Sequence, residues 1–325
     1  MRLHVRTTQP DSGATCVPVR IIARGGVRQD PAHHRDSRLP LPDPLVMHAA
    51  IDFGISNTDA VALGIGDMSC WTQPSSGAPT HASVRDILAA GGVHLGTLPL
   101  LAITGGRHRA LAPALDATTV IAVPEVTAIG RGGQFLTRED GRDMNAPLLV
   151  VSAGSGTAVV SARGGDYAHI TGTGVGGGTL LGLSRLLLGT TDVAVIDTMA
   201  VRGDANGADL ALRDVVSGPI GALPPDATAV NFGRLARQQE TAHPDDLAAA
   251  LMTLVGQVIA ITAINAARAE RIERVVMIGH MTDMPSFRRV IDQVGEYYGM
   301  QILLPARAGY GTAIGALMHA TSTHR

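Results

Sequence analysis

The sequence predicts an α/β fold in two parts, and three observations carry that reading. From Met47 onward, short apolar runs alternate with helical segments. Two of these runs, Ala49–Phe53 and Leu148–Val151, lead into short polar tips with glycine and return at once as a second apolar run. A long apolar helix, from Pro244–Asp245 to about Ala269, is wide enough on its apolar side to anchor a core.

The elements follow in order. Ala49–Phe53, the tip Gly54-Ile55-Ser56-Asn57-Thr58-Asp59 and Ala60–Ile65 form a predicted hairpin. His81–Ala90 reads as a helix ended by Gly91-Gly92. Leu98–Thr104 is a buried strand stopped by Gly105-Gly106, and Val120–Val123 is a strand with Pro124 and Glu125 directly behind it. Leu148 begins the second strand–tip–strand unit, with Ser152-Ala153-Gly154-Ser155-Gly156-Thr157 at its tip. Thr171-Gly172-Thr173-Gly174-Val175-Gly176-Gly177-Gly178-Thr179 then feeds a helix. Glycine lets a ligand approach the main chain, and a glycine loop opening a helix offers unpaired amides to an anion. Two such loops this close suggest a nucleotide held by its phosphates. Leu247, Leu251, Leu254, Val255, Val258, Ile261 and Ile264 mark one side of the long helix. Ala248, Met252, Ile259 and Ala263 extend its apolar surface further, so a second copy of the chain is expected to cover part of it. Arg274–Ile278 is a strand ending at Gly279-His280, and Gly309–Ala320 is the closing small-residue helix.

Composition narrows the chemistry. Hydrophobic residues make up 45% and aromatics 3%, so the core must be Ala, Val, Leu and Ile. All 26 basic residues are Arg; the chain has no lysine. A Walker A loop, a protein-kinase phosphate lysine and Schiff-base catalysis are thereby excluded. Any phosphate charge must meet backbone amides, Arg or a metal ion. A net charge of −2 gives no general pull toward nucleic acid or a membrane surface. Cys16 and Cys70 make no zinc spacing or disulfide framework. No apolar run is expected to span a membrane, and the expected compartment is the cytoplasm. Residues 1–46 hold seven Arg against four Asp without helical or strand period, and read as a disordered tail ahead of a start at Met47. The rest divides into expected subdomains at 47–146 and 147–325, the second holding the long helix.

Two hairpins with polar glycine tips suggest the actin/hexokinase/Hsp70-like architecture, with nucleotide in the interdomain cleft. The segments AIDFGISNTD, LAITGG, VPEVTAIG, SAGSGTAVV, HITGTGVGGGTLLGLSRLLLG, MAVRGDANGADL, VNFGRL, VVMIGH and GYGTAIGAL, in this order over about residues 48–318, resemble the type II pantothenate kinases. The resemblance implies ATP-dependent phosphorylation of the primary hydroxyl of pantothenate or a close analogue, the first step of coenzyme A biosynthesis. It implies ATP and Mg²⁺ as cofactors, a homodimer built on the long helix, and acyl-CoA as a feedback inhibitor. Asp52 would hold Mg²⁺ or its waters, and Glu125 would be the catalytic carboxylate. Gly54, Ser56, Asn57 and Thr58 would form the first phosphate clip, and Gly154, Ser155 and Gly156 the second. Gly177, Gly178, Thr179 and His280 would contact the nucleotide, His280 on its adenosine side. His169, Thr171 and Gly172 would meet the acceptor.

Two departures stand out. The first tip has Ile55 where the family has a glycine, and Asp59 and Ala60 near a usual cation. His169 replaces an arginine that binds the pantothenate carboxylate, and imidazole offers fewer donors than a guanidinium; Arg163 or Arg107 could stand in. Two other readings compete: a catalytically weak kinase-shaped protein binding acyl-CoA or a partner, and a dinucleotide-dependent oxidoreductase. The latter rests on Gly172-Thr173-Gly174-Val175-Gly176-Gly177 as a G-x-G-x-x-G pattern, with Asp192 or Asp197 downstream.

Overall fold

A computed structural model describes residues 47–323 except 65–66, 107–110, 139–144, 219, 222 and 238–241. The readings of residues 1–46 and of Arg107 lie outside the described residues.

The first sheet holds β1 (His48–Phe53), β2 (Asn57–Leu63), β3 (Met68–Pro74), β4 (Leu100–Thr104), β5 (Ala114–Leu115) and β6 (Thr118–Ala122), in the order β3-β2-β1-β4-β6-β5. Between β3 and β4 lies α1 (His81–Ala90), which Thr80 and Ser83 close with a reciprocal capping box. The chain then passes through α2 (Glu125–Leu136). The second sheet begins with β7 (Leu148–Ala153), β8 (Thr157–Arg163) and β9 (Asp166–Thr173). After α3 (Gly177–Leu187) and α4 (Val193–Arg202) comes a small ribbon of β10 (Leu210–Ala211) and β11 (Thr228–Val230), with α5 (Leu212–Val215) between its strands. Next are α6 (Pro244–Glu270), β12 (Val275–Ile278), α7 (Pro285–Tyr298), β13 (Ile302–Leu303) and α8 (Gly311–Thr323). The second sheet is ordered β13-β12-β7-β8-β9.

The two sheets share one plan. In each, three consecutive strands pair antiparallel, β1-β2-β3 and β7-β8-β9, while the first of the three also runs parallel to a later strand, β4 or β12. The hairpin tips therefore leave both sheets at the carboxyl ends of β1 and β7. The two halves are thus structural repeats of one strand–tip–strand unit, as the sequence predicts.

The strands divide cleanly along the chain, β1–β6 forming the first sheet and β7–β9, β12 and β13 the second, but the helices do not. The last helix, α8, packs on the first sheet through Ala313, Ile314, Ala316 and Leu317 against Ala50, Val61, Leu100 and Ala102. The earlier α2 packs on the second sheet, with Ile129 against Leu148, Val150, Val160 and Val276. The two helices meet each other along a seam where main chain touches main chain. A Cβ at Gly315 would collide with the Ala128 carbonyl, and one at Gly132 with the Gly311 carbonyl. No side chain other than hydrogen fits at either point.

Helix α6 begins with Pro244 at its first turn and ends at Arg271 in the left-handed region. It is long and apolar enough to cross a membrane, which corrects the expectation from sequence; most of it lies in the core of the second half. Ala248, Met252, Ile259 and Ala263 are fully buried within one chain. The second apolar side therefore does not require a partner: α3, α4 and α7 cover it. The face that stays half-exposed carries Leu254, Val258 and Ile261.

The seam gives a direct test. Gly315→Ala should destabilise the protein by about 1–3 kcal/mol, the usual cost of forcing volume into a packed core, whereas Gly96→Ala, in open space, should be nearly neutral. Urea unfolding of both variants measures this, and equal midpoints would show that the seam tolerates side chains.

Candidate active site

A cavity of about 420 Å³ lies between the two halves. The first hairpin contributes Gly54, Ile55, Ser56 and Asn57, and the second contributes Gly154, Ser155 and Gly156. The tips meet directly, Ser56 Oγ lying 2.7 Å from Ser155 Oγ. Asp52, at the end of β1, and Glu125, the first residue of α2, line the same space. His280, Gly309 and Thr312 complete that wall, while Leu180, Leu181, Val193, Met281 and Met284 make one end apolar.

The first tip is tight because a Cβ at Gly54 would stand 2.6 Å from the Asn57 carbonyl oxygen. Ser75 Oγ donates to the Gly54 carbonyl at 2.6 Å, fixing the tip to the end of β3. The second tip is fixed by α3. Gly177 N–H donates to Gly154 O at 2.8 Å and Gly178 N–H to Ser155 O at 2.9 Å. A Cβ at Gly176 would stand 2.8 Å from both of those carbonyl oxygens.

These bonds correct part of the sequence reading. The amides opening α3 are paired to the second tip, so this helix start is not a free anion site. Gly178 and Thr179 do not line the cavity; Thr179 Oγ1 donates to Gly174 O at 3.0 Å and closes the helix start. Thr58 lies on β2, 5% exposed, with Oγ1 3.3 Å from Ser75 Oγ, and does not reach the cavity. His169, Thr171 and Gly172 also lie outside the lining. They are strand residues of β9, and the β8 pairs Ala158↔Gly172 and Val160↔His169 place Gly172 and His169 on the sheet face of Ala158, which does line the cavity. A bulge between Val159 and Val160 sets that register. Arg163 is taken by Glu270 at 3.2 Å. The dinucleotide reading fails on the same strand: β9 pairs antiparallel with β8, so no parallel strand precedes α3. Asp192 instead caps α4, and Asp197 accepts from the Ser286 backbone.

The cavity is acidic. Burial, then the nearby Asp59 and Glu125 carboxylates, push Asp52 up to about 8, against a lowering influence of His280. His280 was expected beside adenosine. The structure ties its Nδ1 to Asp283 Oδ2 at 2.7 Å and its Nε2 to Asp59 Oδ1 at 2.9 Å. Burial alone would lower its pKa, but hydrogen bonds to Asp283 and Asp59, with their charges, raise it to about 10. The sequence marks Asp59 only as a missing cation; its partner lies 221 residues away. Gly309 and Thr312 fall in GYGTAIGAL, a matched segment that carries no assigned role in the sequence reading.

Two lobes built on one strand plan, with hairpin tips meeting over a cleft, define the actin/hexokinase-like class. Residues 131–319 match the Fumble family, and the chain belongs to that family. A type II pantothenate kinase of Bacillus cereus is 29% identical over 223 residues, covering 68% of this chain and 81% of the relative. One from Oceanobacillus iheyensis is 30% identical over 217 residues, 66% of this chain and 80% of the relative. Among solved structures, the activator of the 2-hydroxyisocaproyl-CoA dehydratase from Clostridium difficile with bound ADPNP has a TM-score of 0.57 at 15% identity, covering 86% of this chain and 95% of that one. A ROK family glucokinase from Streptomyces griseus in complex with glucose and AMPPNP has a TM-score of 0.51 at 12% identity, covering 83% and 98%. These two likenesses are of fold.

The raised Asp52 pKa has a signed consequence. The folded protein holds a proton that the unfolded chain releases near the ordinary value of 3.8. Stability from this group is therefore lost as pH rises from about 4 to about 8, then levels off. Asp52→Asn removes that loss. The melting temperature of the variant, relative to the unchanged protein, should climb between pH 5 and pH 8. A constant difference across that range would show that Asp52 titrates normally.

Proposed function

We propose that the chain is an ATP-dependent kinase that phosphorylates the primary hydroxyl of pantothenate or a close analogue. The observation that supports it best is the meeting of two hairpin tips, Asp52 and Glu125 in one cleft of a Fumble-family fold. The acceptor oxygen attacks the γ-phosphorus, the bond to the β-phosphate oxygen breaks, and ADP leaves. Glu125, exposed at the start of α2, orients the acceptor hydroxyl and takes its proton. Ser56, Asn57 and Ser155 offer hydroxyls and an amide to the phosphates. The Ser56–Ser155 hydroxyl contact gives way to the phosphate oxygens as they enter.

Asp52 suits Mg²⁺ as a ligand. Among the described residues no group of three His, Cys, Asp or Glu forms a metal cage. A single carboxylate with waters and phosphates is the usual setting for this ion. Asp52 lies near two other carboxylates, whose repulsion a divalent cation relieves. When bound, Mg²⁺ neutralises charge on the phosphate oxygens.

The acceptor extends in this proposal from Glu125 along the Ala158 face of β8 and β9 toward His169. We also include a homodimer through the Leu254–Val258–Ile261 face of α6, inhibition by acyl-CoA, and residence in the cytoplasm.

Glu125→Gln should lower kcat by about a hundredfold or more, the scale of a lost general base, while ATP binding measured by calorimetry stays close to normal. Unchanged turnover would remove Glu125 from this role. His169→Arg should lower the KM for pantothenate by about tenfold, as a charge-assisted pair of 1.5 kcal/mol or so replaces a weaker contact. No gain, with pantothenate still a substrate, would place the acceptor carboxylate elsewhere.

A further inference from the structure

Among the described residues lining the cleft, three carry carboxylates, Asp52, Asp59 and Glu125, and one side chain can carry positive charge, His280. That imidazole is held at both ring nitrogens. Asp283, three residues on, takes Nδ1, and Asp59 takes Nε2. The edge of the ring meets Tyr310 in a T-shaped contact at 5.2 Å. The backbone of Gly309 closes against it, since a Cβ there would stand 2.5 Å from Nδ1. The Asp59 carboxylate is held equally firmly, accepting from Thr72 Oγ1 at 2.5 Å on β3. Its side chain is only 11% exposed.

These two residues belong to opposite walls. Asp59 lies on β2 of the first sheet, seven residues after Asp52 and register-paired with it. His280 follows β12 of the second sheet. Their bond crosses the cleft beside the hairpin tips. A neutral Ser–Ser contact at the tips is replaceable by phosphate oxygens. An ion pair between fixed groups is the stronger link and sets the spacing of the walls.

We propose that Asp59 and His280 form an interlobe clasp that holds the two hairpins at the spacing phosphoryl transfer requires. They are positioning residues, and Asp283 orients the imidazole. The clasp also neutralises Asp59, which would otherwise repel phosphate. The kinetic arm of its test rests on the kinase reading; the structural arm does not.

The experiment uses the full chain with Asp59→Asn and His280→Gln, singly and together, and Asp59→Glu as a variant that keeps the charge. Each neutral single change should lower kcat for ATP-dependent turnover by roughly tenfold or more, with a smaller change in KM, the pattern of lost alignment. The double variant should be no slower than the worse single one, because the two act as a unit. Without nucleotide, X-ray scattering should show a larger radius of gyration in both single variants than in the unchanged protein and in Asp59→Glu. Adding AMPPNP should bring the radii together. Unchanged radii in Asp59→Asn and His280→Gln, or losses that simply multiply in the double variant, would overturn the clasp. A protein inactive on ATP in every form, yet with the scattering change, would overturn the kinase reading and leave the clasp standing.

Discussion

The close approach of α2 and α8 is the constraint on which the rest depends. Each helix lies on one sheet and touches the other helix, so the seam joins the two halves at the floor of the cleft. Gly132 and Gly315 permit main chain to meet main chain, and Ala128, Ala313 and Ala316 keep the neighbouring turns thin. Any added volume would push the sheets apart. The same seam sets the chemistry, because Glu125 starts α2 and Thr312 lies in the first turn of α8. A carboxylate placed by a helix start needs that helix fixed against both walls.

The glycine-rich stretch before α3 shows how sequence signals divide between structure and ligand. Gly176, Gly177 and Gly178 bring a helix start against the second hairpin, where two N–H groups satisfy carbonyls of the tip. Those amides are spent on the protein itself. What remains for a ligand is the tip they hold, above all Ser155 and the main chain of Gly154–Gly156. The glycines thus act on a nucleotide through the loop they position.

Much of this was legible in the sequence, and the reason is period and punctuation. β1, α1, β7 and α6 fall within two residues of the expected bounds because apolar runs end at glycine, proline or a polar tip. The cleft residues Asp52, Ser56, Glu125 and Ser155 sit at strand ends and hairpin tips, and it is the resemblance to the type II pantothenate kinases that singles them out there. The exchange of α2 and α8 between sheets was not legible, since an apolar face does not say which sheet it covers. The cover on α6 is hidden from the sequence for a similar reason: Met252 and Ile259 read as surplus apolar surface, and only α4 and α7 in place show them buried. Thr58 and Thr179 carry the right chemistry at the right spacing, but strand register buries Thr58 and local capping ties the Thr179 hydroxyl to the helix start.

The charge pattern of the cleft follows from the missing lysine. A chain with Arg as its one permanent side-chain cation places no Arg on this cavity among the described residues. The imidazole of His280 is compact and planar, and two carboxylates hold it charged. Its charge is shared with Asp59 and Asp283, so little is left over to attract phosphate. In the proposed kinase, the charge of Glu125, and of Asp52 once it gives up its proton, would be balanced by a cation that arrives with the nucleotide. Phosphates alone would meet a negative wall; phosphates carrying a divalent cation would meet a complementary one.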